Sequence, residues 1–445
     1  VYKRQVMHRV SIFSLFFLWS LMSFGQVKQE KQNPLKFTLD QSKGTFIALT
    51  GSAQIWARYA DLNPGSTING ELESSGFDIS IRRVRMGMYG RLTPKLKFNL
   101  KIGQNNINYV TGKSLNIALL DAYVTYELAD FLAIGGGKSA WTGLSRYAVP
   151  STLNALGVDI PIFALPTIQI SDQLLRKMSV FVAGSVHKFD YRFAFAKPFL
   201  VSYEGGQVLH PDGYTNFDDG SPHIQTSGYF KYQFLDKENQ TSPFSKGTYL
   251  GSKRILTVGA GFMHQADAMS FQDSNGQKQL TNMTHFAGDV FLELPILSGK
   301  GSTITFYGSY TNYNYGKGYI RNIGVNNVAN GFNEDVTFGG AGNAFPAIGT
   351  GEVFYAQMGY TFPTKISLSE EPRRFQIYAS IQHAQYERLR GAMNLYEGGF
   401  SYILDRHSKI TLGYQNRPIF DVVASDLPEE TMRKGMAVLQ YQIKF

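Results

Sequence analysis

Arg83, Arg85, Lys97 and Lys101 occupy alternate positions in two neighbouring stretches of the chain, so in extended backbone they share one face. A row of fixed cations on one wall does electrostatic work: it lowers the cost for an anion to pass, and charged rings of this kind underlie ion selectivity. Arg91 lies in the same phase, Asp121, Tyr123 and Glu127 take the equivalent face of the next stretch, and Arg192 the same face of a later one. Two outcomes stay open. Arg83, Arg85 and Lys101 leave a net positive field near mid-height, or Asp121 and Glu127 neutralise it as a wall of ion pairs. Covalent chemistry has no comparable support. There is no G-x-S-x-G, and no ligand spacing links His187, His210, His223, His264, His285, His383 and His407. Gly137-Lys138-Ser139 and Gly112-Lys113-Ser114 have Leu132 and Ile107 where a phosphate-cradling loop needs glycine. Asp212, Asp218 and Asp219 lack the spacing of a calcium loop. No enzyme activity, cofactor or metal is expected.

The elements that carry these residues are strands. From Lys95 to Ile102 every even position is apolar (Leu96, Phe98, Leu100, Ile102) and every odd one polar. Before Thr93-Pro94, Val84, Met86 and Met88 alternate with Arg83, Arg85 and Tyr89, which makes a hairpin of two long two-sided strands. Each arm reaches the roughly 9–11 residues of a transmembrane strand. With the apolar face in lipid, the basic face looks into water inside a barrel. Phe77, Ile79 and Ile81 are out of phase with Val84, and a bulge near Arg82 restores the phase.

Composition agrees with this reading. Gly 45, Phe 33 and Tyr 26 in a chain only 43% hydrophobic suit many alternating strands whose hydropathy averages out. Cys is absent, which excludes disulfides, cysteine metal sites and a lipidated cysteine. The apolar run 10–24, after Met7-His8-Arg9 and before Gly25, reads as a secretory signal peptide. Residues 1–25 are therefore an upstream extension plus signal, 26–43 a polar periplasmic leader, and 44–445 one barrel domain. Loss of Lys3, Arg4 and Arg9 lowers the net charge from +9 to +6, spread without any basic stripe, so nucleic acid is not a partner.

Alternation recurs at about 44–59, 76–93, 95–106, 116–128, 131–138, 176–186, 188–197, 223–234, 255–264, 284–294, 302–315, 352–362, 373–383, 395–404, 409–415 and 434–445. The fold class is all-β, a transmembrane antiparallel barrel of about sixteen strands, an even number as bacterial barrels require. Connections after even-numbered strands are mostly short and those after odd-numbered ones mostly long, as for periplasmic turns and outer loops. The long even-side connection 235–254 and the short odd-side one at 389–394 depart from this. The third outer loop, 139–175, has no strand period and carries Trp141, Arg146, Tyr147 and Asp159. Long loops in compact folds are usually functional. The last strand ends on the aromatic Phe445, a pattern read by outer-membrane assembly machinery, and it closes the sheet against the first.

The stretch RRVRMGMYGRLTPKLKFNLKIG, 82–103, and the layout of the chain from residue 26 onward resemble the phosphate-selective porin O/P family of Gram-negative outer membranes. The resemblance implies a sixteen-stranded homotrimer embedded in outer-membrane lipid, whose third outer loop folds into the lumen as a constriction. It also implies passage of small hydrophilic solutes, with anions such as phosphate favoured. One departure stands out: Arg146 is the only base inside loop 139–175, flanked by Lys138, Arg176 and Lys177. The alternatives are a substrate-specific binding or transport barrel with a loop-closed lumen and, less favoured, an outer-membrane hydrolase.

Overall fold

The computed structural model describes residues 35–111, 116–201, 212–238, 242–297, 301–332, 338–363, 373–422 and 427–445. The segment 1–25, expected to hold a signal peptide, lies outside them. Sixteen strands form the wall: β1 (Thr45–Asp61), β2 (Ser75–Arg91), β3 (Leu96–Ile107), β4 (Ala118–Ala129), β5 (Leu132–Ser139), β6 (Lys177–Val186), β7 (Phe189–Lys197), β8 (Gln225–Gln233), β9 (Ile255–Gln272), β10 (Lys278–Leu297), β11 (Ser302–Asn314), β12 (Gly351–Thr361), β13 (Arg374–Tyr386), β14 (Met393–Ile403), β15 (Ser408–Asp421) and β16 (Glu429–Lys444). Each pairs antiparallel with the next, and β16 returns to β1 with Ser52 opposite Lys444 and Ala60 opposite Met436. Phe445 adds the last rung, its N–H donating to Gly51 O at 3.0 Å. No open edge remains along this closure, which is what a lipid-exposed sheet requires.

The period of two explains the wall. Ile79, Met86, Val124, Val180, Phe286, Met358 and Leu439 all stand exposed on the outer face. Gln54, Asp121, Asp190, Gln357 and Gln440, on the opposite phase, are buried inside. The phase change at Arg82 is real: the β1–β2 register shifts between Gln54 and Ile55, opposite Arg83 and Ile81. The bulge turns two consecutive arginines, Arg82 and Arg83, inward, and both are buried. Farther along the chain, β9 and β10 run well past their expected outer ends to a tight turn at 273–277. Their register shifts between Gln265 and Met269, where Asp267 has a positive φ of 48° and its N–H donates to Asn282 Oδ1 at 3.0 Å. This bulge breaks the alternation, so the hairpin looks shorter in sequence than it is.

Within the stretch 26–43, expected to be a leader, the described residues from 35 onward include a further strand. Leu35–Asp40 is a strand that pairs with the periplasmic end of β1, Leu35 opposite Leu49 and Asp40 opposite Thr45. It lies in line with β16 beyond Phe445 and covers the overhang of β1 that β16 is too short to reach. Leu35, Phe37 and Leu39 are exposed.

Two connections occupy the interior. Residues 140–176, with three short 3-10 turns, hydrogen-bond to inward side chains on distant strands. Gln54 and Gln442 donate to Thr152 O and Leu153 O, and Tyr313 donates to Phe163 O at 2.6 Å. The segment enters tightly against β8: a side chain at Gly143 would collide with the backbone of Gly228, while Leu144 N–H donates to Gly228 O at 3.2 Å. The second is the long even-side connection. Its residues 242–249 meet the first loop through a parallel bridge between Pro150 and Ser245 and through Ser151 N–H to Ser245 O at 2.7 Å. One loop comes from each end of the barrel.

Their junction is packed against an aromatic wall. Tyr147 and Phe163 from the first loop share a core with Phe291, Tyr307, Tyr313, Tyr355 and Tyr386. The ring centres of Tyr147 and Tyr307 are 3.9 Å apart. An entirely water-facing interior is thus not what the chain builds: inner positions of β9 to β13 face loop residues, and tyrosine suits them because its hydroxyl still finds a partner.

Candidate permeation chamber

Below the crossing loops the lumen holds a cavity of about 660 Å³. Its lining runs from Arg85 and Lys101 on β2 and β3, through Arg176, Arg192 and Lys231, to Lys246 and Lys253 on the connection 235–254, and ends at Arg406 and Lys444. Among those nine cations stand two side-chain carboxylates, Asp190 and Glu238, and Asp121, outside the lining, pairs with Lys101 and Arg176. Residues 150–154 form part of the wall, and His407 and Phe445, at the periplasmic strand ends, mark its lower rim. A second, smaller cavity of about 60 Å³ lies against 158–162, lined by Trp56, Tyr355, Glu397 and Met436 among others, and shares no lining residue with the first.

The cations expected to line the pore have separate fates. Arg83 donates to Gln54 Oε1 at 2.9 Å and to Asp159 Oδ1 at 2.5 Å, so its charge is spent on holding the loop. Lys101 sits 3.4 Å from Asp121, which also receives Arg176 at 3.1 and 3.2 Å. Lys97 and Arg91 both pair with Glu127 near the periplasmic rim, the latter at 3.5 Å. Lys97, Arg91 and Lys101 thus pair with Glu127 and Asp121 on β4, whereas Arg83 pairs with a loop carboxylate, Asp159. Arg85 differs. It donates to Val84 O and Gln104 O at 2.8 Å and to the Asn105 side chain, with no carboxylate in reach among the described residues. Tyr123 packs edge-on to Phe181 at 5.8 Å, and Trp141 stacks on the same ring at 4.8 Å while lining the chamber.

Arg146 and Asp159 anchor the loop. The Arg146 guanidinium forks onto Glu238 at 2.7 and 2.8 Å, also donates to Lys246 O, and stacks 3.7 Å above the Phe291 ring. Glu238 further accepts from Lys231 at 2.7 Å and Tyr249 at 2.6 Å. Burial pushes the Glu238 carboxyl up, but Arg146 and Lys231 outweigh it and hold the group well below the usual carboxylate range. Arg192 bridges the same two loops, donating to Pro243 O at 2.9 Å and Ser145 O at 3.4 Å. Tyr147 donates to Gln357 at 3.2 Å. Asp159 accepts from Arg82 at 2.9 Å and from Arg83, and against the opposing effect of burial the two arginines hold its carboxyl below the ordinary value.

Sequence reasoning passed over Arg82, Glu238, Lys246, Lys253 and Lys444 as site residues. The signal for three of them was the unexplained length of 235–254. Elsewhere, Asp218 and Asp219 pair with Lys278 at 2.6 and 2.7 Å. Among the described residues no group of three or more His, Asp or Glu stands together as a metal site.

A closed sixteen-stranded antiparallel barrel with an apolar belt outside and charged side chains within defines an outer-membrane channel of the porin class. Residues 49–144 match the family model for phosphate-selective porin O and P, the family to which the chain's first hairpin bears its resemblance. In fold the chain is similar to OprB of Pseudomonas putida (TM-score 0.53, 10% identity, covering 89% of this chain and 94% of that one). It is similar also to OmpF of Salmonella typhi solved with daunomycin (TM-score 0.51, 11% identity, covering 91% and 99%). No curated protein matches the chain.

Proposed function

We propose that this channel passes small hydrophilic solutes by diffusion and favours anions. The observation that carries the reading is the charge left over in the lower chamber: Lys101 and Arg176 are matched by Asp121, and Lys231 by Asp190 and Glu238, while Arg85, Lys246, Lys253 and Lys444 line the same space without an ion pair to a described residue. Low-dielectric walls focus such a field and raise the local concentration of anions. We read residues 140–176 as the constriction and the assembly as a homotrimer, the latter resting on the family resemblance alone. Light scattering of the detergent-solubilised protein measures the oligomer.

Of Arg83, Arg85 and Lys101, the three that alternation singles out, Arg85 alone has no ion pair with a described residue. Under a KCl gradient in a planar bilayer the wild-type reversal potential should lie on the anion side. Arg85→Ala should move it toward zero, and Arg83→Ala should move it less, because Arg83 is already matched by Asp159. A cation-selective wild type, or equal shifts for the two variants, would overturn this assignment.

A second reading has its own support, the hydrogen-bonded junction of two inward loops over a tyrosine-rich core. A substrate-specific barrel with a loop-closed lumen would give no steady current without its solute. Stable open steps in the recording favour the first reading and silence the second.

A further inference from the structure

We propose that the lower chamber is a binding site for a compact organic anion carrying two or more negative charges, seated on Arg85, Lys246, Lys253 and Lys444. The inference rests on the channel reading and narrows its solute. Ser52 of β1 pairs with Arg85 on one side and Lys444 on the other, so these two cations flank one strand at the same level. With strands about 4.8 Å apart, their backbones stand about 10 Å from each other. Lys246 and Lys253 come from the inward connection and line the same cavity.

None of the four lies in an ion pair with a described residue. Arg85 is confined to two carbonyls and an amide, and Lys253 donates to Lys237 O. The ammonium groups of Lys246 and Lys444 donate no hydrogen bond to a described residue, although the Lys444 backbone N–H donates to His407 O at 2.8 Å; Lys246 Nζ rests 5.0 Å from the Tyr249 ring. Burial and then Lys253 depress Lys246 below an ordinary lysine, and the more distant carboxylates of Glu238 and Glu293 do not offset them. Asp190 and Glu238 do not supply a counterion, since Lys231, Arg146, Ser185 and Gln233 engage them. An anion with several charged oxygens would satisfy the set; a monovalent ion would answer one member at a time.

Volume and wall chemistry narrow the class further. A cavity of about 660 Å³ is within the range that encloses a small organic ligand, and an inorganic anion would leave most of it to water. Tyr89 and Trp141 present aromatic surface to the same space, a place for a carbon framework between charged groups. His407 and Phe445 on the rim put the opening on the periplasmic side.

Tricarboxylates and sugar phosphates share this chemistry, and the test separates them. The purified full-length protein in detergent at low ionic strength is titrated by calorimetry with citrate, a hexose phosphate, inorganic phosphate and glucose. At least one organic anion should bind about tenfold more tightly than inorganic phosphate, and glucose should not bind. Lys246→Gln with Lys444→Gln should weaken that binding by about tenfold or more, the scale of losing charge-assisted contacts. Lys253→Gln alone should weaken it less, and heat-modifiable gel migration identifies the folded samples. Absence of binding, a preference for inorganic phosphate, or unchanged affinity in both folded variants would overturn the site. Planar-bilayer recordings on the same samples separate the two readings: a conducting protein without binding removes only the site, whereas binding by a silent protein keeps the site and removes the diffusion channel.

Discussion

Glu238→Ala should give the largest change in current of any single substitution in the lumen, an increase in single-channel conductance with passage of larger sugars in liposome swelling. Glu238 is the point where both inward loops are tied: it accepts the fork of Arg146 from one loop, Tyr249 from its own, and Lys231 from the wall. Removing one partner of a buried pair leaves the other charged and unmatched, at a cost of about 3–5 kcal/mol. A loop docked by a comparable margin would then shift its docked-to-released ratio by about two to four orders of magnitude. Arg146→Met with Glu238→Ala removes both charges, and it should be less open than Glu238→Ala alone because no orphaned guanidinium is left beneath Phe291. The decisive comparison is conductance of the single and double variants beside wild type. Indistinguishable traces from all three would show that the fork is wall structure and does not restrain the passage.

The parts of this architecture that were legible in sequence are those governed by local periodicity. All sixteen strands show it because a strand between lipid and water must alternate, and the bulge at Arg82 was legible for the same reason, as a slip in phase. The ends of β9 and β10 were not, since the bulge at Asp267 hides continued pairing behind a broken pattern. Tyrosine blurred the interior. Tyr307, Tyr313 and Tyr355 read as polar inward residues, yet they pack as a core because Tyr147 and Phe163 arrive from another part of the chain. The same long-range dependence governs the charges. Nothing near Arg83 in sequence says that Asp159 will take it and that Arg85, two residues on, will be left without a carboxylate. Only the unexplained length of 235–254 hinted that a periplasmic connection would turn inward with Glu238, Lys246 and Lys253.

Asp159→Asn should raise anion preference and conductance together, whereas Arg83→Ala should change both only slightly. In the native protein Asp159 spends its charge on Arg82 and Arg83, which project side by side from the β2 bulge. Neutralising it frees two guanidinium groups toward the upper lumen and loosens residues 158–162, which line the small cavity there. The pH behaviour follows from the same contacts. The folded Asp159 and Glu238 carboxyls are both held below their ordinary values, so the stabilisation they give is complete above the unfolded value of about 4 and is lost as pH falls through the lower folded values. These two contacts therefore predict a flat conductance from about pH 8 to pH 5 and a rise only in stronger acid, below about pH 4. In Asp159→Asn the acid-induced rise should shrink, because one of the two pairs is already gone. Current recorded from pH 3 to pH 8 checks both statements. A step between pH 5 and pH 7 that Asp159→Asn abolishes would mean that Asp159 titrates in that window, contrary to its pairing with two arginines.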